Sequence, residues 1–147
     1  MKKIKFLAMA AIASLAFSCS SDSDSGPAPT IIAKWNLTKT VSVVSGTTDT
    51  DPYTDNEPGC DKDYIEFVTG GVLKNIIFFK NAENVCTEDA GDQGTWTQAG
   101  DALNVTGGAL AGTYEVTKLT NSELQIRATS TVGGTTVTVT RYFNKAS

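Results

Sequence analysis

The chain of 147 residues contains no histidine. That absence removes the Ser-His-Asp and Cys-His arrangements of nucleophilic hydrolases, the usual imidazole base and histidine-ligated metal sites. Cysteine is scarce as well. Cys19, Cys60 and Cys86 are the only three, and no C-x-x-C spacing occurs, so neither a redox dithiol nor a zinc cage has its ligands. Positive charge is in short supply: twelve Lys and Arg face sixteen Asp and Glu. A chain of this balance offers no basic surface for phosphates, which argues against nucleic acid as a partner. Long apolar runs are missing too. The longest, Phe6 to Phe17, spans twelve residues, too few to cross a bilayer as a helix. A carboxylate pair could still perform glycosidase chemistry, but no pair stands apart from the general loop charge. The expectation is a protein that is not an enzyme.

What is present begins with the amino terminus. Lys2, Lys3 and Lys5 precede the apolar stretch, the order of an export signal. Leu15-Ala16-Phe17-Ser18-Cys19 then resembles a bacterial lipobox, with bulky Phe17 where smaller residues are commoner. The resemblance implies cleavage before Cys19 and acylation of that cysteine, and two or more acyl chains anchor a protein stably. Residues 1–18 read as a lipoprotein signal peptide. Residues 19–29 read as the lipidated cysteine and a Ser/Asp/Pro tether, too poor in apolar side chains to fold and at most roughly 35 Å long when extended. Residues 30–147 read as one folded domain. Three of the twelve basic residues and none of the acids lie in residues 1–18, so the remainder carries nine against sixteen, a net charge of −7. The expected location is the cell envelope, lipid-anchored at the outer membrane of a Gram-negative bacterium. Asp22 and Asp24 loosely resemble a surface-routing signal and equally suit a plain linker.

From Thr30 onward the text is all-β. Thr, Val, Ile and aromatics dominate, and Gly, Asn and Asp punctuate at short intervals. Eight strands are predicted: about 34–44, 63–68, 72–80, 94–98, 102–106, 113–119, 123–129 and 135–144. Gly70-Gly71 and Gly133-Gly134 mark tight hairpins. In the first strand Trp35, Leu37, Val41 and Val43 share a face. The "NIIFF" run in the third does not alternate, so a second strand face is also covered there. Eight antiparallel strands joined by short turns are best served by closing on themselves. The predicted fold is an eight-stranded up-and-down barrel, with a two-sheet β-sandwich as the alternative. In an exported chain Cys60 and Cys86 suit a disulfide, two free thiols being the other possibility.

Over about residues 32–143 the sequence resembles the bacterial lipocalin-like lipoproteins. "AKWNLT" looks like the G-x-W opening of their first strand, with Ala33 in place of glycine. "CDKDYIEF" and "GTWTQAGDALNV" resemble the strand after the first long loop and a mid-barrel hairpin. The resemblance implies a barrel closed at one end by the first-strand tryptophan under an arginine of the last strand, here Trp35 and Arg141. Arg141 is in phase with Val139 and Phe143, and an inward cation over an indole would be compensated there. It also implies an open end formed by residues 45–62 and 81–93, where a Cys60–Cys86 bridge would staple the rim. Inward positions that line a ligand are then Leu37, Val41, Phe67 and Phe78 in the first half, and Trp96, Tyr114, Ile126 and Val139 in the second.

Acidic residues gather in the same two loops: Asp49, Asp51, Asp55, Glu57, Asp61 and Asp63, then Glu83, Glu88, Asp89 and Asp92. Calcium favours such ligands, but Tyr53 breaks the EF-hand spacing, so the expectation is solvated loop charge and no cofactor. Two functions follow. The first is a monomeric, membrane-anchored, non-enzymatic barrel that binds a small, mostly apolar ligand through its open end. The alternative is a filled barrel whose acidic rim docks a protein or glycan.

Overall fold

The computed structural model describes residues 28–147; Cys19, the expected signal peptide and most of the expected tether lie outside the described residues. Ten strands follow in order: β1 (Lys34–Val44), β2 (Thr47–Pro52), β3 (Tyr64–Val68), β4 (Val72–Lys80), β5 (Cys86–Ala90), β6 (Gly94–Ala99), β7 (Ala102–Thr106), β8 (Gly112–Leu119), β9 (Glu123–Val132) and β10 (Thr135–Lys145). All pairings are antiparallel, and β10 returns to pair with β1. The ring is therefore closed, through β1, β3, β4, β6, β7, β8, β9 and β10. This is the eight-stranded barrel, not the two-sheet sandwich.

β2 and β5 correct the expectation of two long loops. All six residues of β2 and all five of β5 are exposed. Neither strand has an apolar face, so neither carries an alternating signal. They form because the chain turns tightly before them. Ser45 and Gly46 take φ of 49° and 81°, the two positive values a two-residue hairpin turn requires, and the following residues pair with Lys39–Val44 of β1. Asp49, Asp51 and Pro52 on β2 discourage further pairing at its free edge.

The extra strands split the wall. The start of β1 (Lys34–Trp35) pairs with β3, but its second half pairs with β2. Likewise the start of β4 (Val72–Leu73) pairs with β6, and Ile76–Lys80 pairs with β5. Among the described residues no pairing joins β2 to β4. Above the level of β3 the barrel wall is parted, and residues 53–63 run through the gap.

The core fills the other end. Ile31, Trp35, Phe67, Leu73, Leu103, Leu124, Ile126 and Phe143 are all buried there. Ile31 tucks beneath the barrel and its carbonyl accepts the Trp35 indole N–H at 2.8 Å. At the Gly70-Gly71 hairpin the Trp96 indole N–H donates to the carbonyls of Val68 and Val72 (3.2 and 3.1 Å), and its ring meets Phe67 edge-on at 5.4 Å. Gly71, at φ 85°, lies so close that a Cβ would stand 2.9 Å from the Trp96 carbonyl. Two tryptophans and an isoleucine thus close the base.

That closure corrects the expected plug. Trp35 lies opposite Lys145, not opposite Arg141, which faces Thr40 on β1. Four residues of strand, about 13 Å, separate the two levels. The ring beneath Arg141 is Tyr114, at 5.7 Å from the guanidinium carbon.

Candidate functional site

Between the packed base and the parted wall lies a cavity of about 360 Å³, lined by Trp35, Leu37, Thr40, Tyr53, Asp63, Tyr64, Ile65, Asn75, Ile77, Ala109, Leu110, Arg141 and Phe143. Each side contributes for a local reason. On β1 the pairing with β10 slips between Leu37 and Lys39, so Thr38 is bulged and Leu37 and Thr40 both face inward. On β4 the inward positions are Asn75 and Ile77. The β7–β8 loop folds its Leu110 over the top, where that side chain is buried. Ile77, 40% exposed, stands on the stretch of β4 that β3 leaves unpaired, so the cavity meets solvent through the gap between β2 and β4.

Asp63 organises that gap. It is the one buried charged or polar residue among those described, 6% exposed. Its carboxylate accepts the Tyr53 hydroxyl at 2.6 Å and the Phe78 N–H at 2.7 Å. Its N–H donates to the Asn56 side chain and its carbonyl accepts from Asn36. The carboxylate therefore caps the free edge of β4 and ties it to the start of the 53–63 segment. The other end of that segment is held by the Cys60–Cys86 disulfide, which joins it to β5 with the Cα atoms 5.6 Å apart. Lys80 adds a bond to the Pro58 carbonyl and sits 3.8 Å from Glu57.

Burial, the bond to Asp63 and the nearby charges of Asp63 and Asp55 all push the Tyr53 phenol well above its ordinary value. A raised folded value means that this stabilisation is complete below the unfolded value of about 10 and is lost as pH climbs toward the folded one. Absorbance titration at 295 nm should show one more late-ionising tyrosine in the wild type than in Tyr53→Phe. The wild type should also lose stability more steeply above pH 10. Superimposable titration curves would contradict this.

Arg141 is the cavity's only cation. Its Nη1 donates to the Tyr114 hydroxyl at 2.9 Å, and that hydroxyl donates to the Leu110 carbonyl at 3.0 Å. Among the described residues no carboxylate lies within 4.0 Å of it. Nor do three acidic or sulfur side chains converge in a metal-holding group among the described residues.

A family model described as a lipocalin-like domain matches residues 31–126. The chain belongs to the lipocalin-like domain family. No curated protein matches it. The match covers β1 to the middle of β9, and β10, which closes the ring and carries Arg141, follows it. The lipocalin-like barrel suits ligand binding in general, and the cavity lies inside it.

The structure sorts the residues chosen from sequence. Leu37 lines the cavity, as do Trp35 and Arg141. Phe67 and Ile126 are wholly buried in the packed core of the lipocalin-like barrel and do not reach the cavity. Trp96 belongs to the base. Tyr114 stands behind Arg141, holding it. Val139 shares the inward face with Arg141, two residues nearer the mouth, outside the lining. Val41 and Phe78 are corrections. The Thr38 bulge turns Val41 to the outer face, opposite Thr50 and Thr140. Phe78 also faces outward, 6.2 Å from the Tyr64 ring, because Leu73, Asn75 and Ile77 hold the inner positions of β4, a phase that the non-alternating run hides. The lining residues missed are Thr40, hidden by the bulge, Asn75 and Ile77, hidden by the non-alternating run, Ala109 and Leu110 of the β7–β8 loop, Tyr64, and Tyr53 and Asp63, which look like ordinary loop polarity. Ile65 and Phe143 were legible from strand phase. Cys19 lies outside the described residues.

Proposed function

We propose that this lipocalin-like protein is a non-enzymatic carrier that binds one small, mostly apolar ligand in the cavity, held at a membrane by acylated Cys19. The observation that supports it is the cavity itself. Its volume is at the lower end of the range for small-molecule pockets, with a mostly apolar lining and a few convergent polar groups. Divided by the volume of a liquid water, about 30 Å³, it holds roughly a dozen non-hydrogen atoms. Ile77 and Phe79, both about 40% exposed, continue the apolar surface to the rim.

The anchor rests on the Lys2/Lys3/Lys5, Phe6–Phe17 and Cys19 pattern. The chain enters the barrel at Ile31, at the closed base. An anchor eleven residues upstream of Thr30 would hold that base toward the bilayer and turn the cavity mouth to the aqueous side. The reading places the protein in the envelope, at the outer membrane of a Gram-negative cell, as a monomer without cofactor. Native mass spectrometry of the protein purified from its own cells tests the binding. A bound species of a few hundred daltons, released on unfolding, is expected, and a chain that always flies empty would count against it. Palmitate labelling that survives Cys19→Ala would remove the anchor.

A further inference from the structure

The cavity holds a charge that the apolar reading leaves unused. Arg141 projects from β10 into a cavity whose neighbouring levels are Phe143 and Leu37 below and Thr40 across. An inward guanidinium beside such groups loses hydration and needs compensation. The protein supplies the Tyr114 ring at 5.7 Å and no counter-charge within 4.0 Å among the described residues. Of five N–H donors, one meets a protein side chain among the described residues, the Tyr114 hydroxyl. That hydroxyl spends its own proton on Leu110, so it fixes the guanidinium as an acceptor without neutralising it. Asp63, the cavity's one carboxylate, is more than 4.0 Å away and engaged by Tyr53 and Phe78. The remaining donors form the planar fork that matches a carboxylate with two parallel bonds.

We propose that Arg141 is the head-group residue of the cavity, and that the ligand is an aliphatic monocarboxylate of about ten carbons. This rests on the reading of the cavity as a ligand pocket and names the class of ligand. The geometry fixes the orientation. Arg141 stands about 13 Å above the Trp35 level, on the mouth side of Phe143. The tail therefore points down to Trp35, Leu37 and Ile65, and the carboxylate stops at Arg141 and Thr40. Decanoate, with twelve non-hydrogen atoms, fits the volume.

The test compares decanoate, 1-decanol and decyl sulfate by calorimetry on the full-length protein in phospholipid nanodiscs, with empty nanodiscs subtracted. Decanoate should bind at least tenfold more tightly than decanol. Arg141→Gln should bring that ratio to about one, and an unchanged thermal unfolding midpoint of that variant reports that the barrel is intact. Arg141→Lys should recover part of the preference, because the charge returns without the fork. Equal binding of decanoate and decanol by the wild type, or a preference that survives Arg141→Gln, would overturn the proposal while leaving the pocket. Tighter binding of decyl sulfate than of decanoate would overturn the carboxylate. Failure of both decanoate and decanol to bind would overturn the pocket reading itself.

Discussion

Phe67→Ala is expected to lower the unfolding free energy by about 3–5 kcal/mol, the largest effect of any single substitution considered. Phe67 sits on β3 at 0% exposure, with its ring edge-on to Trp96 and Leu73 directly across on β4. Truncation removes the transfer free energy of the ring and opens a void between the base tryptophan and the barrel wall. Strand neighbours are tied on both sides, so the site cannot collapse to fill it. For a folded domain of this size the loss corresponds to roughly 10–20 °C in Tm. Urea unfolding with an unchanged m-value is the check, and a shift under 1 kcal/mol would mean that the base is not packed as described. Val41→Ala gives the contrast. Its side chain is on the half-exposed outer face, so the expected cost is under about 1 kcal/mol. A cost of 3 kcal/mol there would place Val41 in the core and remove the Thr38 bulge.

The second large effect belongs to the disulfide. Cys60→Ser with Cys86→Ser should cost about 3–4 kcal/mol, the loop-closure value for a 26-residue separation. The bridge restrains the unfolded chain, and in the native state it fastens the 53–63 segment to β5 across the parted wall. Calorimetry in the presence and absence of reductant should reproduce the same drop for the wild type and none for the double variant. An unchanged Tm on reduction would contradict it. The bond network of Asp63 stays in place in the double variant, so the cavity should persist and bind, with the mouth segment fastened only through Tyr53, Asn56 and Lys80.

These two effects mark what the sequence makes legible and what it hides. Phe67 was readable as an inward residue from Ile65 and Phe67 alternating in a short strand, and the closed ring followed from counting such strands. The two cysteines were readable as a pair. The site was not readable to the same degree. A single bulged residue, Thr38, inverts every later side chain of β1, so Thr40 replaces Val41 inside. The strands β2 and β5 expose every residue and leave no periodic trace. Tyr53 and Asp63 meet only because the wall parts there, a tertiary event with no local signature. Arg141 was in phase and inward, but the aromatic ring beneath it is Tyr114 of β8, one strand beyond β9, and not the Trp35 that the family resemblance implied. Strand existence is local; strand phase and cross-barrel contacts are not.

Ligand binding by this barrel depends on a hollow between the Trp35 floor and the Arg141 level, above a packed base. The chain has two tryptophans, so Trp96→Phe leaves Trp35, which lines the hollow, as the sole indole. Titrating that variant with 11-bromoundecanol and following tryptophan emission tests the claim directly. Saturable quenching at one molecule per chain is the expected result. Emission that stays unquenched up to the solubility limit of the probe would show that nothing reaches Trp35, and would contradict the account.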